Sequence, residues 1–344
     1  MEKKKTSWHK VLLTALCVVV CVVLLLLIGV RMYFRLPVSS YYGASEKGFK
    51  IPGIADGFIA QGISYDKERG VAAVTGYTDK KGEPSPLYIV DIETKKTVKK
   101  VVMERPDGKM YTGHGSGVVM HGGLVYVSGT DYLYVFSLDD IMNAENGGKI
   151  KSVGRFEGNH SDDDYVRASF VATDGEKLYI GEFYREKSND TADTHKLTTK
   201  SGDYNQALML AYRFSDGEGS VLGLEAEPCE AYSLPNYAQG MCFLSGKIYL
   251  STSYGLTFSH IYVYEKEKLE RQDDIDIIGL TLPLYALDRA SLKHDIKVPP
   301  MSEEIEVING KIYIMCESAS NKYIFGKLTG GEWCYATDFS KLEK

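Results

Sequence analysis

At 344 residues the chain could hold one large domain or two ordinary ones, and core size sets no limit on it. Its formal net charge of -6, from 40 basic and 46 acidic residues, provides no basic footprint of the kind that nucleic acid requires, so no nucleic-acid partner is expected. The 34 Gly and 25 Tyr suit sheets joined by tight turns.

The first predicted element is VLLTALCVVVCVVLLLLIGV, residues 11 to 30, an uncharged run of about the 20 apolar residues that cross a bilayer. Lys3, Lys4, Lys5, His9 and Lys10 precede it, and Arg31 and Arg35 follow. The positive-inside bias therefore puts residues 1 to 10 in the cytoplasm and residues 36 to 344 outside the cell. A cleaved secretory signal has a shorter apolar core, of about 7 to 15 residues, followed by small residues. GVRMYFRL follows here, so the reading is a single-pass signal anchor at 11–30, a connector at 31–44 and an extracellular domain at 45–344. No later segment is long and apolar enough for a second span. Cys229, Cys242, Cys316 and Cys334 lie beyond the anchor; an even count permits disulfides in three connectivities, and buried free thiols are the equal alternative.

Beyond residue 45 short runs rich in Val, Ile and Tyr alternate with Gly, Asp and Asn, the pattern of strands and turns. One phrase recurs. IAQGISYDKERGVAAVTGY is followed by SPLYIVDIE, and GHGSGVVMHGGLVYVSGTD by YLYVFSLDD. VRASFVATDGEKLYIGEFY precedes ALMLAYRFSD, YAQGMCFLSGKIYLSTSYG precedes SHIYVYEKE, and SEEIEVINGKIYIMCES precedes NKYIFGKL. With Gln61, Ser116, Ser169, Gln239 and Glu304 as equivalents, the steps are 55, 53, 70 and 65 residues. Those periods leave room for four strands per repeat, the outer ones supplied by TVKKVVME, EPCEAYSLP and LKHDIKVPP. The expected fold is all-β: a single propeller of five four-stranded blades, closed by SEKGFKIPG, residues 45 to 53, as the missing strand of the last blade. A sixth blade within residues 268 to 300 is the alternative count.

In a propeller the start of each innermost strand and the end of the next strand reach one face. That rule gathers Gln61 with Tyr77, His114 and Ser116 with Asp131, and Arg167 and Ser169 with Glu182. It also gathers Gln239 with Ser253 and Tyr254, and Glu303 and Glu304 with Glu317, all at one mouth of the central channel. Gln61, Tyr77, Ser116, Arg167, Ser169, Gln239, Ser253 and Tyr254 are the expected ligand-binding set. His114, flanked by glycines, is the candidate general base, against a structural turn histidine. Carboxylates turned into a narrow channel must be solvated, paired or metal-bound. Glu182, Glu304 and Glu317 are thus a salt-bridged ring with Arg167, oxygen ligands for a cation, calcium being the fitting one, or acid–base groups. NHSDDDY, residues 159 to 165, adds Asp162, Asp163 and Asp164 as a solvated acidic loop or a cation-binding lip, and residues 184 to 206 read as a mobile polar loop on the same face.

The phrases TGHGSGVVMHGGLVYV, RASFVATDGEKLYIGEF, AQGMCFLSGKIYLSTSYG and PPMSEEIEVINGKIYIMCES resemble those of uncharacterised exported or membrane-anchored bacterial β-propeller proteins. The likeness covers roughly residues 50 to 328 and implies a fold and an address without a reaction. In plan the chain is more distantly similar to lactonase-like and calcium-dependent nucleotidase propellers, whose functional motifs it does not match residue by residue. Two functions follow. One is a membrane-tethered propeller that binds an extracellular small molecule, wall fragment or protein. The other is a calcium-assisted hydrolase or lyase acting on a small exported ester, lactone or phosphate.

Overall fold

The computed structural model describes residues 8–129, 131–158 and 164–343. Five sheets stand around one axis. Blade I contains Phe58–Asp66, Val71–Thr78, Pro86–Asp91 and Lys96–Glu104 from the axis outward. Blade II contains Val118–His121, Leu124–Gly129, Tyr132–Ser137 and Gly154–Phe156. Blade III contains Phe170–Thr173, Lys177–Gly181, Ala207–Arg213 and Glu230–Leu234. Blade IV contains Ala238–Leu244, Lys247–Thr252, Ser259–Glu265 and Leu292–Val298. Blade V contains Ser302–Ile308, Lys311–Cys316, Trp333–Thr337 and, on its rim, Ser45–Lys50.

The strands are apolar on both faces because every blade is sandwiched. In blade I, Val71 and Ala73 pack toward blade II while Ala72 and Val74 pack toward blade V, the period of two that a pleated strand imposes. Five apolar cores result, one between each neighbouring pair of blades. Closure comes from Ser45–Lys50, which pairs antiparallel with Trp333–Thr337 and supplies the fourth strand of blade V.

Two outer regions differ from expectation. Residues 268–300 do not build a sixth blade. Glu270–Arg271 and Leu284–Ala286 leave blade IV and add to the outer edge of blade III, Leu284–Ala286 pairing parallel to Glu230–Leu234. The third strand of blade V is Trp333–Thr337 and not NKYIFGKL, whose Ile324 and Phe325 point away from the core. All six cysteines are free: Cys242, Cys316 and Cys334 are buried as small apolar groups, Cys229 is half-buried, and Cys17 and Cys21 are exposed on the N-terminal helix.

That helix, Trp8–Arg35, has 28 residues and is long and apolar enough to cross a membrane. Apart from half-buried Val30 it is solvent-exposed until Phe34, which is buried, and it passes through Leu36–Val38 and Ser39–Gly43 directly into the rim strand of blade V. Val38 and Tyr41 are buried in the core between blades IV and V, which fixes the junction. Arg35 adds a cation–π contact 4.0 Å from the Tyr42 ring centroid.

Candidate functional site

The innermost strands of blades I, IV and V carry the same local irregularity. In blade I the pairing jumps from Ala60–Gly76 to Gly62–Thr75, leaving Gln61 as an extra residue. In blade IV it jumps from Ala238–Thr252 to Gly240–Ser251, leaving Gln239. In blade V it jumps from Ser302–Cys316 to Ile305–Ile314, leaving Glu303 and Glu304 opposite one partner. A β-bulge re-aims the extra side chain, and here it turns Gln61, Gln239 and Glu303 toward the mouth. Just ahead of these strands Gly57, Tyr237 and Met301 lie in the left-handed region, with φ of 92°, 66° and 60°. Tyr237 and Met301 have no glycine freedom there, so the rim stores backbone strain of the kind found around functional sites.

The mouth is a cavity of about 530 Å³. Of the residues expected there it is lined by Gln61, Tyr77, His114, Ser116, Arg167, Ser169, Gln239, Ser253 and Tyr254, together with Glu303 and Glu317. Phe183, Arg185, Asn189, Gly255, Met301, Lys322 and Tyr323 complete the wall. Arg185 and Asn189 escaped sequence reasoning because they sit in an insertion outside the repeat, Phe183 and Gly255 because they stand one residue beyond the positions singled out in their phrases, and Lys322 and Tyr323 because they fall in the stretch misread as a strand. His114 stacks on Tyr77 with ring centroids 4.3 Å apart and planes 7° from parallel. Tyr237 and Tyr254 stack at 5.8 Å, and the Arg185 guanidinium lies 4.5 Å from the Tyr254 centroid.

Charge is unevenly distributed around the cavity. Blade III and the loop after its second strand supply Arg167 and Arg185, while blade V supplies the carboxyl groups Glu303 and Glu317 together with the cation Lys322. Gln61 Nε2 donates to Glu317 Oε2 at 3.0 Å, and the Tyr323 hydroxyl donates to Glu317 Oε1 at 2.5 Å. Lys322 Nζ donates to the Tyr77 hydroxyl at 2.7 Å. Glu303 is only 4% exposed. Burial first, then the neighbouring Glu317, pushes its carboxyl well above the usual carboxylate range, against the pull of Lys322. Glu317 is also raised, by burial, with Tyr323, Lys322 and Gln61 pulling the other way. The pair is therefore biased to share a proton. His114 is shifted down, by desolvation and then by Lys322, so its neutral form dominates.

Three expected members are elsewhere. Glu304, 1% exposed, is turned by the bulge below the mouth and fills the axis. Its Oε2 accepts from the amides of Ile63 at 2.6 Å and Val118 at 3.0 Å, tying blade V to blades I and II. Glycines make room for it: a Cβ on Gly240 would lie 2.4 Å from Glu304 Cα, and one on Gly117 would lie 2.8 Å from Glu304 Oε1. Burial raises the Glu304 carboxyl well above its ordinary value, with the amides of Val118, Ile63 and Val171 pulling it down. Glu306, further along the strand, is pushed up to about 7 by burial. The channel is thus occupied by protein beneath a blind cavity.

Glu182 serves a second buried cluster. Its Oε2 lies 2.9 Å from His195 Nδ1 and accepts from the Leu208 amide at 3.0 Å; Oε1 accepts from the Arg167 amide at 3.3 Å. His195 is 0% exposed, with Nε2 3.6 Å from Asp164 Oδ1. Residues 184–206 are consequently anchored rather than loose. Leu197–Thr198 and Tyr204–Asn205 form a small hairpin, and Ser201 Oγ donates to buried Asp288 at 2.7 Å. Asp131 lies between blades II and III, accepting from Tyr165 at 3.0 Å. Glu182, Glu304 and Glu317 therefore stand in three environments, and among the described residues no three His, Cys, Asp or Glu side chains are grouped to hold a metal ion. Asp162 and Asp163 lie outside the described residues.

No protein family matches the sequence, and no curated relative matches it. Solved structures similar in fold include the glutaminyl cyclase of Myxococcus xanthus, at 11% identity and a TM-score of 0.42 over 85% of this chain and 93% of that one. A luciferin-regenerating enzyme is similar at 11% identity and a TM-score of 0.39, covering 80% and 89%. The WD40 propeller domain of Doa1 is similar at 12% identity and a TM-score of 0.35, covering 74% and 75%. These likenesses concern the fold alone.

Proposed function

We propose that the protein is a membrane-tethered propeller whose mouth binds a small dipolar molecule, one bearing an anionic group and a hydrogen-bond-donating or cationic group. The observation that carries this reading is the presence of both charges at separate positions in a cavity of ligand size: Arg167 and Arg185 from blade III, Glu303 and Glu317 from blade V, where the Lys322 ammonium is engaged by the Tyr77 hydroxyl. Guanidinium groups suit planar carboxylate or phosphate, and the acid pair with Gln61 suits an ammonium or hydroxyl. The stacked pairs Tyr77–His114 and Tyr237–Tyr254 supply flat walls for a ring or an amide. The apolar helix and its basic leading flank support an extracellular domain.

Titration calorimetry on the full chain in lipid nanodiscs, against amino acids, dipeptides, amino sugars and phosphoethanolamine, tests this. Uptake that is weakened by both Arg185→Ala and Glu303→Gln supports it. Binding only of uncharged ligands, indifferent to both changes, overturns it.

The raised, interacting Glu303–Glu317 pair favours one second reading, general acid–base catalysis of a hydrolase or lyase, with neutral His114 near it as base. This version needs no cation. Turnover of an ester, lactone or phosphate that survives both Glu303→Gln and His114→Ala rules it out.

A further inference from the structure

We infer that the mouth face of the propeller is seated on the bilayer, with the blade V loop around Ile324 and Phe325 inserted beside the N-terminal helix. This rests on reading that helix as membrane-spanning. Ile324 is 88% exposed and Phe325 52% exposed, an adjacent apolar pair in a loop that leaves the core unsupported. Phe325 shares an apolar groove of about 420 Å³ with Leu25, Leu26, Gly29 and Val30 of the uncharged run and with Tyr33 and Phe34 just beyond it. At 1.5 Å per residue Leu25 lies about 7 Å inside the end of that run at Val30. Phe325 therefore stands beside the outer end of the apolar run, where acyl chains meet the interface, and the partner follows from continuity with the helix.

A second rim loop flanks the helix from blade IV. Tyr33 and Phe258 have ring centroids 6.2 Å apart, and Lys297 Nζ lies 5.6 Å from the Phe258 centroid. Aromatic rings with lysines beside them are the composition of a membrane–water interface. Both loops join second strands to third strands, and the residues next to them, Tyr254 and Lys322, line the cavity. The rim of the cavity is thus the part of the propeller held against the membrane.

Tryptophan quenching by phosphatidylcholine brominated along its acyl chains tests the placement. The full chain, with Trp8→Phe and Trp333→Phe as background, receives Ile324→Trp, Phe325→Trp, Leu25→Trp on the helix, or Lys67→Trp in a hairpin on the opposite face. Because Ile324 is so exposed, its replacement leaves the core intact. The expected result is quenching at Ile324→Trp and Phe325→Trp comparable to Leu25→Trp and several-fold greater than at Lys67→Trp. Quenching at Leu25→Trp with none at either loop position overturns the seating and keeps the tether. No quenching at Leu25→Trp overturns both.

Discussion

The two faces of the ring are built from different materials. On the face away from the mouth, first and second strands are joined by tight hairpins such as Gly122–Gly123, Ser245–Gly246 and Asn309–Gly310, each with positive φ at both residues. Turns of this kind match the twist of the strands and are specified by two residues. The mouth face has long loops without a common pattern, strained residues at Tyr237 and Met301, and polar groups whose partners come from other blades. The hairpin face makes the fold locally; the mouth face spends regularity on a site.

Glycines on the two sides of this division should behave differently. Gly240→Ala places a methyl group 2.4 Å from Glu304 Cα, a backbone atom that cannot swing away, and should cost about 3 kcal/mol or more. Gly246→Ala meets open space and pays only for its φ of 76°, about 1–2 kcal/mol. Denaturant midpoints of the two variants measure the contrast, and equal losses would erase it. Glu304→Ala comes next: it strands the Ile63 and Val118 amides in the core and should cost about 2–4 kcal/mol. Glu304→Gln keeps an acceptor and should recover roughly half of that loss.

The hairpin face was legible because its cause is local. Recurrent Gly-containing turns between apolar runs predicted the blades and the outer strands of blades I, III and IV, and the last copy's lack of a fourth strand predicted the closing strand Ser45–Lys50; the short outer strand Gly154–Phe156 of blade II was not foreseen. The mouth was legible only as far as the repeat reached. Gln61 and Gln239 announced equivalent positions through the shared phrase AQG, yet nothing in those letters signals a bulge. The bulge also explains the misplacement of Glu304: an extra residue breaks the alternation of strand faces, so adjacent Glu303 and Glu304 take the cavity and the axis respectively. Glu182 was misassigned because its partner, His195, arrives from an insertion outside the repeat. Ile324 and Phe325 imitated a strand because apolar side chains in sequence do not say whether protein or lipid will cover them.

Acidity provides a subtler comparison, since burial makes the axial carboxyl groups resist ionisation. Glu306 has its ordinary value of 4.5 raised to about 7 by burial. The native state thus holds the proton more tightly than the unfolded chain does. Its favourable contribution is complete below about pH 4.5 and is lost as pH rises through about 7. A shift of that size corresponds to about 3 kcal/mol at full burial, and residual solvent contact lowers it to about 1–2. Glu306→Gln should therefore be more stable than the native sequence at pH 8 and indistinguishable from it at pH 4. A stability difference that is the same at both values would remove the axial proton from the account.

The smallest expected effect on stability is the most informative about the mouth. Arg185 reaches the cavity from a loop and packs on Tyr254, with no backbone amide depending on it as Glu304 has. Arg185→Ala should change the unfolding free energy by no more than about 0.5 kcal/mol, the range of ordinary surface substitutions. If the cavity takes the anionic end of a dipolar ligand there, the same change should weaken binding about tenfold, since a charge-assisted hydrogen bond contributes about 1.5–3 kcal/mol. Lys67→Ala on the hairpin face should alter neither quantity. A site that is energetically separate from its scaffold predicts this split, whereas a cavity left over from blade packing predicts that Arg185 and Lys67 are equally silent toward every ligand.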